Sequence, residues 1–268
     1  MAWTMIRAAS ILSTFAAAAL LGACATTGAD TAAAPEAAAQ DAAIAGATPE
    51  ERAAAYRLEP VSRAAFWNAE YSRNPADREA ALEFSRALRA IGSAPEAAAV
   101  AEQAVRQNPG DADLLMALAA ARVDEGRAPA AVGPLEQAIA AAPDDWRPYS
   151  LLGVSLDQMG RHEEARQNYL QALQVSPNNP AVMTNLGMSY AVAGDAANAE
   201  LTLRDAAAQP DATAYTRQNL ALVLAYQGKF EEAENLALVD LPVAAVRNNM
   251  DYARSMLSRA RRWEDLQR

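Results

Sequence analysis

The chain has 268 residues, 52% hydrophobic but only 6% aromatic, with a formal net charge of −10 and a pI near 4.7. Much of the hydrophobic share is alanine, the strongest helix former, which points to many thin helices packed through small side chains. The acidic balance argues against nucleic acid as a partner, and one cysteine with one histidine argues against a disulfide framework, a Cys/His metal cluster or a His-assisted cysteine nucleophile.

The chain opens on a processing signal. Residues 1–7 carry one positive charge, and residues 8–21 form a largely apolar run, too short for a membrane span and suited to a secretory signal ending in small residues. Leu21-Gly22-Ala23-Cys24 resembles a bacterial lipobox, which implies removal of residues 1–23 and lipidation of Cys24; an ordinary signal peptide with an incidental cysteine is the alternative. The resemblance implies, with alanine rather than aspartate at position 25, the periplasmic face of the outer membrane, and two or more acyl chains suffice for stable anchoring. Residues 24–59 are rich in Ala, Thr, Pro and acids with almost no large apolar side chain. They read as a mobile tether of ~30–35 Å r.m.s. span, in which Pro35, Gly46 and Pro49 limit any helix.

Residues 60–77, with Phe66, Trp67 and Tyr71, read as an N-terminal capping helix or the second helix of a degenerate repeat. A periodic region follows over 78–247. At a step of 34 residues Gly92, Gly126, Gly160, Gly194 and Gly228 fall in register, as do Ala97, Ala131, Ala165, Ala199 and Ala233, then Ala104, Ala138, Ala172 and Ala206. Pro75, Pro109, Pro143 and Pro177 keep the same spacing, and Ser85, Ala119, Gly153, Gly187 and Ala221 supply a small residue where two helices must approach closely. Each unit is a helix hairpin that cannot bury its own apolar face and must stack on its neighbours. This resembles the tetratricopeptide repeat (TPR), and the resemblance implies an all-α superhelical solenoid of five repeats at 78–111, 112–145, 146–179, 180–213 and 214–247. Asp77, Asp111 or Asp113, Asp144 and Asn179 are positioned to start first helices. The copy at 214–247 departs most from the pattern, with Ala237 and Asp240 at its later aromatic and small positions. Residues 248–268 read as a C-terminal cap: a first helix to Leu257, then Trp263–Leu266 in parallel with the start of a second. Its arginines 254, 259, 261, 262 and 268 read as a solvated face.

Arrays of this kind bind protein partners along a concave groove lined by the first helices. Helical geometry puts the second, fifth, ninth and twelfth residues of each repeat there. With neighbouring polar positions, the expected groove is Met116, Val123, Ser150, Val154, Thr184, Asn185, Met188, Tyr215, Asn219 and Leu222, suited to an amphipathic helix or apolar peptide. Arg86, Arg89 and Arg147 cluster near one end with no lysine, which argues against a carboxylate clamp. No cofactor, metal, catalytic residue or small-molecule substrate is expected: the paired acids fall in turns and helix starts, and His162 lies in a turn.

The combination of lipobox, Ala-rich tether and repeats is similar to the TadD-type lipoproteins of the tight-adherence (Tad/Flp) pilus system, and to the pilotin lipoproteins of type IV pili. That resemblance implies a non-enzymatic scaffold assisting assembly or localisation of an outer-membrane secretin or other pilus-assembly component. The alternative is an envelope scaffold for cell-wall hydrolases or outer-membrane assembly factors. Cys24→Ser is expected to shift the protein from the membrane to the soluble periplasmic fraction on cell fractionation; retention on the membrane places the anchor elsewhere.

Overall fold

The computed structural model describes residues 46–266, so the signal peptide (1–23), Cys24 and the first part of the tether lie outside the described residues. Thirteen α-helices and no strand are found among them. They run as α1 (Pro49–Ala55), α2 (Pro60–Arg73), α3 (Arg78–Ala90), α4 (Ala94–Gln107), α5 (Ala112–Asp124), α6 (Pro129–Ala141) and α7 (Trp146–Gln158). Then come α8 (His162–Val175), α9 (Pro180–Val192), α10 (Ala196–Ala207), α11 (Ala214–Tyr226), α12 (Phe230–Ala237) and α13 (Val243–Leu266). From α2 onward consecutive helices pack against one another, and first helices also touch across repeats, α3 on α5 and α5 on α7, which builds a superhelical solenoid. No described helix is long and apolar enough to cross a membrane.

The 34-residue register has a physical reading at each station. The first helices of four repeats start on a side-chain cap: Asp77, Asp111, Asp145 and Asn179 each accept hydrogen bonds from backbone amides two or three residues on. The expected cap Asp144 is one residue early; only Asp145 keeps the step, and Thr213, next in line, makes no such bond. The helices end on glycine. At Gly160 the backbone has φ 74°, and the Arg161 amide reaches back to the Leu156 carbonyl at 2.9 Å, closing a Schellman turn that a side chain would strain.

Inside each hairpin, small residues set the interhelical distance. Ala97, Ala131, Ala165, Ala199 and Ala233 are all fully buried, and so are Ala104, Ala138, Ala172 and Ala206, about two helical turns further along the same face. Opposite them, a Cβ added at Gly153 would sit 2.5 Å from a ring carbon of Tyr169, and one at Gly187 would sit 2.7 Å from Leu203 Cγ. In the first repeat Ser85 holds the same place and donates to the Ala97 carbonyl at 3.0 Å, so its hydroxyl is satisfied where it is buried.

Charges join the first three repeats at both ends of their first helices. Arg78 binds Asp111 and Asp113, Arg147 spans Asp113 and Asp145, and Arg89 reaches Asp124 at 2.7 Å. These pairs are partly exposed and worth little singly, ~0–1 kcal/mol each. Farther along, the links between first helices are hydroxyls and amides: Asn185 to Ser150 at 3.2 Å and Thr184 with Thr216 at 2.9 Å.

Both ends differ from expectation. The tether does not stay unstructured to residue 59, because α1 forms within it. Thr48 and Glu51 close a reciprocal capping box, and Pro49 occupies the first helical position, where its missing N–H costs nothing. At the other end α12 stops at Ala237 and α13 begins at Val243, so the expected boundary between residues 247 and 248 falls inside a helix. The α12–α13 link is pinned by Arg217, which grips the Asp240 carboxylate at 2.6 and 2.8 Å. The cap is one helix of 24 residues rather than a hairpin. Arg262 stands one 34-residue step after Gly228, so no glycine is present to end the helix.

Gly153→Ala is expected to cost about 1–3 kcal/mol in chemical denaturation, because the new methyl collides with a fully packed ring. Ala165→Trp should cost at least as much, whereas the solvent-facing Gln167→Ala should stay within about 0.5 kcal/mol. An unchanged midpoint for both core variants refutes the packing register.

Candidate partner-binding groove

The residues expected to line the groove divide into two groups. Met116, Val123, Ser150 and Thr184 are buried. Met116 packs beside Leu115 and Ala138, and Val123 sits with Leu152 and Leu156 across the next repeat. Ser150 accepts from Asn185, while Thr184 donates to the Pro180 carbonyl at 2.6 Å and shares its bond with Thr216. Over the second to fourth repeats these positions join neighbouring helices and are not open for a ligand. Val154, Asn185 and Met188 are half-buried, Met188 against the last core cluster.

The open floor begins at α11. Tyr215 and Leu222 are exposed at 58% and 41%, and Asn219 lies between them with its amide donating to the Tyr215 carbonyl. Facing them across a cleft of about 330 Å³ are Asn249 and Tyr252 of α13, with Tyr226 at the end of α11 and Met250 in the wall. Sequence reading missed the α13 side because it treated the last helix as a cap. The signal was present: Asn249 and Tyr252 stand 34 residues after Tyr215 and Gln218, at the second and fifth positions of a sixth unit.

No residue lining this cleft carries a formal charge, in a chain of net charge −10. Two nearby arginines are engaged elsewhere: Arg217 on Asp240, and Arg254 on Asp251 with its guanidinium 4.9 Å over the Phe230 ring. Tyrosine rings, an aliphatic floor and side-chain amides can enclose an apolar side chain and hydrogen-bond the backbone that carries it. In the first and third repeats Arg86, Arg89 and Arg147 are each committed to a carboxylate, which removes them as a carboxylate clamp.

One polar cluster invites a catalytic reading and does not support it. His162 Nδ1 lies 2.8 Å from Asp157 Oδ1, and the same carboxylate accepts from the Tyr169 hydroxyl at 2.9 Å and from Ser189 at 2.8 Å. Ser189 is buried and faces the carboxylate, not the imidazole, so serine, histidine and aspartate form no proton relay. The cluster ties α7, α8 and α9 together. Burial, with Asp157 beside it, drives the Tyr169 pKa well above the ordinary tyrosine range and keeps the phenol a donor. No group of three or more potential metal-ligating side chains is found among the described residues.

A charge-neutral cleft on a stack of helix hairpins is the arrangement of a protein-interaction solenoid. Three stretches match repeat models, described as tetratricopeptide repeat at 82–145 and 213–241 and as TPR repeat at 156–194; the fold is a TPR-like superhelical solenoid. No curated protein matches its sequence. Among solved structures it is similar to a thermophilic TPR protein of Thermus thermophilus, at 25% identity and TM-score 0.60 over 66% of this chain and 98% of that one. A tetratricopeptide repeat protein from Parabacteroides merdae aligns at 11% identity and TM-score 0.65, covering 81% and 89% of the two chains. A chain of the APC/C hetero-tetramer Cut9–Hcn1 aligns at 16% identity and TM-score 0.57 over 72% of this chain and 39% of that one. At such identities the likeness of the last two is one of fold.

Truncation separates packing from open floor. Met116→Ala is expected to cost about 2–5 kcal/mol, and Leu222→Ala under about 1 kcal/mol, in equilibrium denaturation. Equal losses refute this division of the groove.

Proposed function

We propose that the protein is a lipid-anchored scaffold on the periplasmic face of the outer membrane that holds a protein partner in the cleft between α11 and α13. The observation that carries the interaction role is that cleft: neutral, lined by tyrosines and amides, and open where Met116, Val123, Ser150 and Thr184 are buried in packing. The membrane address rests on the resemblance of residues 21–24 to a lipobox, with Cys24 as the acylated residue. The similarity to TadD-type lipoproteins supports a finer role, assisting assembly or localisation of a Tad/Flp pilus secretin. A neutral apolar cleft suits an apolar segment of such a partner, presented as a helix or an extended strand.

A photo-crosslinking residue at Leu222 in living cells tests this. Capture of a secretin or another pilus-assembly component, lost on Tyr252→Ala, is the expected result. Capture of a cell-wall hydrolase or an outer-membrane assembly factor at the same position moves the assignment to a general envelope scaffold. Crosslinks from the convex-side position Gln167 with none from Leu222 overturn the groove itself.

A further inference from the structure

The N-terminal end of the solenoid is closed unlike any other joint among the described residues. Elsewhere helix packs along helix. The seven-residue α1 forms no helix–helix interface of that extent and is held by side chains. The Arg52 guanidinium donates to Glu70 at 2.9 Å, Asp77 at 2.6 Å and Glu79 at 2.8 Å. The Tyr56 hydroxyl donates to Glu79 at 3.1 Å, and the Glu70 carboxylate also takes the Ala47 amide and Arg73. Beneath the strap lies Trp67, fully buried, its ring 5.7 Å from the Arg52 guanidinium and 5.7 Å from the Tyr56 ring.

Two features mark this as an element with two states. Trp67 Nε1 is buried without a hydrogen-bond partner among the described residues, so the closed state carries the desolvation of that donor and an open state, with water on the indole, does not. A helix of seven residues is also far below the length, roughly 12–15 residues, at which an isolated helix holds in water. Letting go and unwinding are therefore one step.

We propose that α1 is a releasable strap, locked by Arg52 over Trp67, whose opening bares an aromatic face rimmed by Glu70, Asp77 and Glu79 at the N-terminal end of the solenoid. The lock is electrostatic, so salt and acid are its releases. Facing Arg52 are Glu70 of α2, Asp77 before α3 and Glu79 at its start; Arg73 lies on the Glu70 carboxylate, while Glu83 and Arg86 of α3 face Tyr56. Burial pushes the Glu70 and Asp77 carboxyls up, but their hydrogen bonds to Arg52 and to backbone amides outweigh it and hold both below the usual carboxylate range. Burial and the Glu83 and Glu79 charges push the Tyr56 phenol up to about 12, so it remains a donor at neutral pH. A carboxyl depressed in the closed state favours closure above its free pKa, and that preference fades as pH falls below the ordinary carboxylate range.

Peptide-resolved hydrogen exchange on the full chain at pH 7 tests the strap. Arg52→Gln is expected to speed exchange of the α1 amides at least tenfold while α3 to α10 are unchanged, with Arg52→Lys in between. Sodium chloride at 1 M should speed α1 in the wild type and add little to Arg52→Gln. Exchange of α1 that is as slow as in α3 and indifferent to Arg52→Gln overturns the proposal, as does acceleration of all helices together. A second readout uses Trp67 as the sole tryptophan, with Trp3, Trp146 and Trp263 changed to Phe. Acrylamide quenching should rise severalfold on Arg52→Gln, and unchanged quenching shows that Trp67 stays covered and the strap does not open.

Discussion

Everything in this solenoid depends on how closely two helix backbones can approach within a hairpin. The limit is set by one small residue on each helix, and nowhere more tightly than where Gly153 meets Tyr169 and Gly187 meets Leu203. Close approach gives the ring and the leucine a fully buried seat, and it lets alanines whose single methyl is worth only about 0.8 kcal/mol contribute by number. The same approach explains how a chain with 6% aromatic residues still builds a core. Its larger clusters are rich in alanine and leucine, and Gly153 makes room for the ring of Tyr169.

This constraint was legible in the sequence because it repeats. Small residues at a fixed step gave the hairpins, the glycine-ended first helices and the fold class without a structure. What failed to repeat was harder to read. The strap α1 has its own start signal, Thr48-Pro49-Glu50-Glu51, but an alanine-rich setting disguised it, and Pro49 looked like a helix breaker when it was a helix starter. The last helix runs on because Arg262 stands where a glycine would end it, a fact about an absence that a motif search passes over.

The groove was half legible for a different reason. Helical periodicity states which face a residue occupies, and Met116, Val123, Ser150 and Thr184 do lie on the predicted helices. Periodicity does not state whether the next helix covers that face. In the second to fourth repeats it does, and Met116, Val123, Ser150 and Thr184 are buried there. Past α11 the neighbour is α13, reached through a shortened α12 and a linker pinned by Arg217 and Asp240, and the gap stays open. The irregularity that made the fifth repeat look weakest in sequence is what leaves the cleft unfilled.

A solenoid is held together by nearest neighbours, so its interior units are clamped from both sides and its ends from one. The middle of this chain is accordingly spent on packing, including the Asp157 hub that joins three helices. Features free to act lie at the two ends, and they are chemically opposite: a neutral, tyrosine-lined cleft at α11–α13 and a cluster of carboxylates around one arginine at α1–α3. Salt and acid act on the second and leave the first nearly untouched, since screening and protonation need charges to work on. A protein built this way can hold an apolar partner at one end under conditions that open the other, with the rigid stack between them only setting their distance.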